Sequence, residues 1–136
     1  MWVESESNRI GNVYLPPKLW TVLRAASGYR IHVSTDARVQ HLLVEYAHLV
    51  ADSESLKRIL NALRTRHGTS PIEAWIQKID TGEWHEFVAS LLAIHYDPAY
   101  GKSSSRCYPN VSQKIPMRDV SPEAVDELVT VLLAAL

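Results

Sequence analysis

From Asp36 to His95 the apolar residues recur at three- and four-residue intervals with only short polar breaks, and this stretch commits the chain to a helix-rich architecture. Val39, Leu42, Leu43, Tyr46, Ala47 and Val50 form one face of a helix expected from Asp36 to about Val50. A second helix starts near Ser53, turns Leu56, Ile59, Leu60 and Leu63 inward, and ends at Gly68. Ser70-Pro71-Ile72-Glu73 reads as a capping box, because the serine can accept from the amide three residues on while Glu73 reaches back. The helix it opens buries Ile72, Trp75, Ile76 and Ile79. After Thr81-Gly82 a further helix presents Trp84, Phe87, Val88, Leu91 and Leu92 and runs to about His95, where Asp97-Pro98 is expected to stop it.

The flanks carry shorter β-like segments. Trp2 and Val3, followed at once by Glu4-Ser5-Glu6-Ser7, read as the tail of a buried strand. Pro16-Pro17 suits the first turn of a helix spanning Leu15 to Ala26, with Leu19, Trp20, Val22 and Leu23 on its apolar side. Arg30 to Ser34 reads as a strand, and Lys114 to Met117 as a short edge strand, since Pro116 has no N–H for a ladder. Ser121-Pro122-Glu123 opens a last helix with Val125, Leu128, Val129, Leu132 and Leu133 expected inside. This order fits the second half of an α/β domain with a helical insertion, taken as one partial domain over residues 1–136.

Composition narrows the function classes. The formal net charge is −1, so contact with a polyanion has to come from a local patch. No apolar run approaches the roughly 18 to 20 residues that cross a bilayer, and the first residues lack an export signal. A soluble cytoplasmic protein without a membrane partner is expected. Cys107 is the only cysteine, which excludes an internal disulfide and a thiolate cluster, and Arg106-Cys107-Tyr108-Pro109 resembles no catalytic loop; it reads as an inert thiol.

Three segments hold chemistry-bearing residues. Glu4, Glu6, Ser7 and Arg9 follow a strand end, the place where α/β proteins hold a metal ion, a water or a phosphate, although a solvated acidic turn has the same composition. Between His95 and Arg106 lie His95, Tyr96, Asp97, Tyr100, Lys102 and Arg106, a group able to bind phosphate, stack on a base or move a proton, or to form only an Asp-Pro turn. Lys57, Arg58, Arg64, Arg66 and His67 make a basic helix surface that can follow an RNA backbone or simply be solvated. Arg38, at the start of a helix after a strand, is a weaker candidate for a phosphate-binding lid residue. Gly-x-x-x-x-Gly-Lys-[Ser/Thr] is absent. Gly101-Lys102-Ser103 matches only its end, with Tyr96 where the first glycine would stand.

Trp2 to Pro16 resembles the "V-E-x-E-S-x-x-I-G-x-x-x-x-P" stretch of tRNA 2-selenouridine synthases, and Tyr96-Asp97-Pro98-Ala99-Tyr100 is similar to the "Y-D-P-x-Y" nearer their C-terminus. Their order and Asp36-Ala37-Arg38-Val39 between them fit the same family. The resemblance implies the C-terminal half of a P-loop NTPase-like domain, and an enzyme that replaces sulfur by selenium in wobble 2-thiouridine through a geranylated intermediate. Selenophosphate and geranyl diphosphate would be its substrates and tRNA its partner. Glu4 and Glu6 would then act in metal or water contact, with no metal expected on this chain by itself. Ser7, Arg9, Arg38, His95, Tyr96, Asp97 and Tyr100 would line the substrate cleft, and Lys57, Arg58, Arg64, Arg66, Lys102 and Arg106 would meet RNA. The family's rhodanese domain and phosphate loop have no counterpart in these residues, so a chain inactive alone is expected, whether a truncated reading frame, a fragment of a split gene, or a C-terminal piece that binds a separately encoded rhodanese and phosphate-loop half. The rival reading is a non-enzymatic helical RNA-binding or adaptor module.

Overall fold

The computed structural model describes residue 3 and residues 8–134. They group into two compact units, one formed by Met1–His32 with Tyr96–Pro116, the other by Val33–His95 with Met117–Leu136. Along the chain, a run of helices is thus inserted between two segments of the first unit, as the element order anticipates.

In the first unit, β1 (Arg9–Ile10) and β2 (Val13–Tyr14) form a small antiparallel hairpin in which Arg9 faces Tyr14 and Ile10 faces Val13. Gly11 takes φ +59° in the two-residue loop, a conformation that glycine enters without a Cβ penalty. Helix α1 (Pro17–Ala25) follows, with proline in its first turn as expected. Strand β3 (Gly28–Val33) pairs with β4 (Val111–Met117) in a two-stranded parallel sheet whose strands start side by side, Gly28 N–H donating to the Asn110 carbonyl. The Asn110 amide donates to the carbonyls of Arg24 and Ala25, tying the end of α1 to the start of β4. Val3 is exposed and lies in no regular element; the strand expected at Trp2 falls otherwise outside the described residues.

The second unit contains α2 (Thr35–Glu45), α3 (Ala47–Ala51), α4 (Ser53–Asn61), α5 (Arg64–His67), α6 (Thr69–Asp80), α7 (Trp84–Leu91) and a wide π-turn, Leu92–Tyr96, which ends in the first unit. The chain continues in α8 (Asp97–Cys107) and β4 of the first unit, and α9 (Pro122–Ala134) closes the second. Leu56, Leu60, Ile72, Trp75, Ile79 and Phe87 make its buried cluster, packed by Leu49, Leu63, Ile76, Trp84, Val88 and Leu91. Every fully buried hydrophobic residue among those described belongs to this unit.

Several local expectations need correction. The helix from Asp36 to Val50 is two helices, broken where Tyr46 leaves the helical region; the break exposes Val44 and Tyr46 and lets Leu49 reach the core. Ile59 is 55% exposed, because the short α4 uses only the i, i+4 pair Leu56 and Leu60. Helix α6 begins at Thr69 on Gly68, so Ser70 already lies inside its first turn and no capping box forms; Glu73 pairs with Arg64 at 3.7 Å instead. Asp97-Pro98 does not end the helical path. The π-turn resets the hydrogen bonding, and Pro98 falls in the first turn of α8, where its missing N–H costs nothing. In α9 the inward line is Ala124, Leu128 and Leu132, leaving Val125, Val129 and Leu133 exposed.

Candidate functional site

Glu4, Glu6 and Ser7 lie outside the described residues. Arg9, next along, is held locally: its Nε donates to the Gly11 carbonyl at 2.8 Å, its Nη2 to Asn12 Oδ1 at 3.5 Å, and its guanidinium lies over the Tyr14 ring. The hairpin therefore orients Arg9. The structure thus places one member of the expected acidic strand-end group.

The cluster from His95 to Arg106 divides. His95 ends the run of the second unit, and its Nδ1 lies 2.7 Å from His67 Nε2. His67 also meets the edge of Trp75, whose indole N–H donates to Ser90 Oγ at 2.9 Å. Desolvation first, then the charges of Arg66 and His67, push the pKa of His95 below the ordinary histidine value. His67, read from the sequence as part of a basic surface, is a half-buried partner of His95. The packing of α5 on α6 and of α6 on α7 brings the two rings together.

Tyr96 and Tyr100, one helical turn apart, belong to the first unit. Their rings stack with centroids 5.8 Å apart and planes 7° from parallel, and both side chains are about half exposed. Lys102 and Arg106 are four residues apart on α8 and both are exposed. The same helix carries Ser104, whose hydroxyl accepts from Arg30 Nη2 of β3 at 3.2 Å, while Arg24 of α1 donates to the Arg106 carbonyl at 3.4 Å. The ends of α1 and α8 and the starts of β3 and β4 thereby meet in one region of this unit. Trp20 of α1 meets the Tyr108 ring edge-on at 5.7 Å beside them.

The basic helices of the second unit are different. Lys57 bridges Glu54 at 2.8 Å and Asp80 at 2.5 Å, and its hydrogen bonds to Asp80 and then to Glu54 raise its pKa above the usual lysine value. Arg64 pairs with Glu73 and hydrogen-bonds Asn61, while Arg58 donates to Ser55 Oγ. Arg38 sits in the first turns of α2, near the Ser34 cap that accepts from the Ala37 amide. Among the described residues no three His, Cys, Asp or Glu side chains gather as a metal site, and no helix is long and apolar enough to cross a membrane.

Fold and site define a helix-rich α/β protein with aromatic and cationic side chains gathered on its smaller, strand-containing unit. Over residues 1–58 the chain matches the family described as the tRNA 2-selenouridine synthase AAA domain, which supports the resemblance read from the sequence. That match takes in the segment of Arg9 and Arg38 and ends within α4, ahead of the Tyr-Asp-Pro motif. No curated protein and no solved structure matches.

Proposed function

We propose that this chain forms the tRNA-facing part of a tRNA 2-selenouridine synthase, the enzyme that replaces the sulfur of wobble 2-thiouridine by selenium through a geranylated intermediate. The family match over residues 1–58 carries this reading. The exposed Tyr96–Tyr100 stack, in a unit with a formal excess of positive charge, supports it, because exposed aromatic rings suit contact with unpaired bases such as those of an anticodon loop. On this reading the strand-bearing unit is part of a P-loop NTPase-like fold. On the family's pattern Arg9 and Arg38 are separate candidates for contact with the phosphates of selenophosphate or geranyl diphosphate, and Glu4, Glu6 and Ser7 are candidates by sequence alone. The phosphate loop and the rhodanese thiol come from a further segment or a partner.

The test is titration of labelled tRNA with the full chain at two salt concentrations. Binding that weakens steeply with salt supports the reading. Absence of binding at low salt contradicts it. Nucleoside analysis after adding a rhodanese and phosphate-loop half, with selenophosphate and geranyl diphosphate, separates a synthase from an adaptor: only the synthase yields 2-selenouridine.

A further inference from the structure

Charge is distributed unevenly between the two units. The segments of the strand-bearing unit hold seven Lys and Arg against three Asp and Glu, a formal +4, while those of the helical unit hold seven against twelve, a formal −5. A near-neutral chain therefore hides a strongly basic part. The ion pairing differs in the same sense. In the helical unit Lys57, Arg64, Lys78 and Arg118 each hold a carboxylate, while Arg58, which donates to Ser55 Oγ, and Arg66 hold none among the described residues. In the strand-bearing unit Arg24, Arg30, Lys102, Arg106 and Lys114 hold none among the described residues; Arg30 meets a serine hydroxyl and Arg24 a backbone carbonyl.

Two of these cations, Arg30 and Lys114, line one concavity. A shallow concavity of about 310 Å³ opens in this unit, lined by Arg30, Ser105, Tyr108, Gln113 and Lys114 among others, and no carboxylate among the described residues lines it. Arg30 reaches it from β3 and Lys114 from β4, so the parallel pairing of the two strands brings the two charges to one depression. Hydroxyl, phenol and amide groups beside them add neutral donors. A cationic hollow with several donors and no acid is suited to phosphodiester oxygens and unsuited to metal ions.

We propose that this hollow, extended by the exposed Lys102 and Arg106 of α8, is the surface on which the RNA backbone lies, and that the basic faces of α4 and α5 are not. Naming the polyanion as RNA rests on the function proposed above. On α4 and α5, Lys57 and Arg64 already hold carboxylates and only Arg58 and Arg66 are left without one, on a unit of formal charge −5, whereas Arg30 and Lys114 converge on one hollow with no carboxylate partner among the described residues, in a unit of formal charge +4.

The experiment uses the full chain and fluorescence anisotropy with labelled tRNA at low and moderate salt, for the unmodified protein and three double variants. Arg30→Gln with Lys114→Gln should weaken binding about tenfold at low salt and lower the salt slope by about 2, one for each phosphate that is no longer neutralised. Arg106→Glu with Lys114→Glu alters only exposed side chains, so its effect on binding is independent of any loss of folding through Arg30; it should weaken binding at least as much. Arg58→Gln with Arg66→Gln should bind within about twofold of the unmodified chain. If the α4–α5 variant loses binding while both hollow variants keep it, the proposed surface is wrong and the RNA reading stands. If the unmodified chain binds no tRNA but retains inorganic pyrophosphate in a way that Lys114→Gln abolishes, the RNA reading is wrong and the hollow is a small-anion site.

Discussion

His67 Nε2 and His95 Nδ1 share a single hydrogen bond of 2.7 Å, so one ring must donate and the other accept. Protonating both would place two cations in contact beside Arg66, and the lowered pKa of His95 expresses that cost together with its desolvation. The neutral form is favoured in the folded state, while the unfolded chain takes up the proton near the ordinary value of 6.5. The pair's contribution to stability is therefore complete above pH 6.5 and is lost as pH falls from there through the lower folded value. The thermal midpoint should fall on acidification from pH 7.5 to 5.5, and His95→Gln should flatten that dependence. An unchanged pH profile in the variant would show that the pair does not cause it.

Trp75 is 1% exposed at the centre of the helical core and hydrogen-bonded to Ser90. Trp75→Ala should destabilise the chain by about 3–5 kcal/mol, read by denaturant titration. Trp75→Phe, which keeps most of the volume and loses the indole donor, should cost clearly less.

Gly68 separates α5 from α6 at φ +79° and ψ −178°, a region that residues with a Cβ rarely enter. A Cβ built there meets nothing within 4 Å, so the cost of substitution is in the backbone alone. Gly68→Ala should destabilise by about 1–3 kcal/mol without exposing the core, measured as a shift in urea midpoint at constant slope.

All fully buried hydrophobic residues described lie in the helical unit. Amide hydrogen exchange should accordingly be slowest in α4, α6 and α7 and faster in β1, β2, α1 and α8, because local opening free energy follows buried apolar contact. Equal protection in the two groups would contradict the division.

The long, strongly periodic helices were legible in the residues: Leu56, Leu60, Ile72, Trp75, Ile79 and Phe87 are buried where their spacing puts them. What periodicity could not show is how each face meets its neighbours. The stripe through Val125, Val129 and Leu133 turns outward because α9 buries the line of Ala124, Leu128 and Leu132, and the break at Tyr46 follows from how Leu49 reaches the core. Gly11-Asn12 between Ile10 and Val13 carries a two-residue hairpin signal that a motif-centred reading passes over. Site residues close in sequence, His95 and Tyr96, fall in different units, and His67, 28 positions from His95, becomes its partner. The cationic hollow was hidden because Arg30 and Lys114 are far apart in sequence and the net charge of −1 conceals their unit's excess.

Ultraviolet cross-linking of the full chain to tRNA, with the joined residues mapped by mass spectrometry, tests the central claim most directly. Adducts are expected at Tyr108, which lines the hollow with Arg30 and Lys114, and at the exposed stacked rings of Tyr96 and Tyr100 in the same unit. Adducts confined to α4, α5 and α6, with these three tyrosines unmodified, would contradict it.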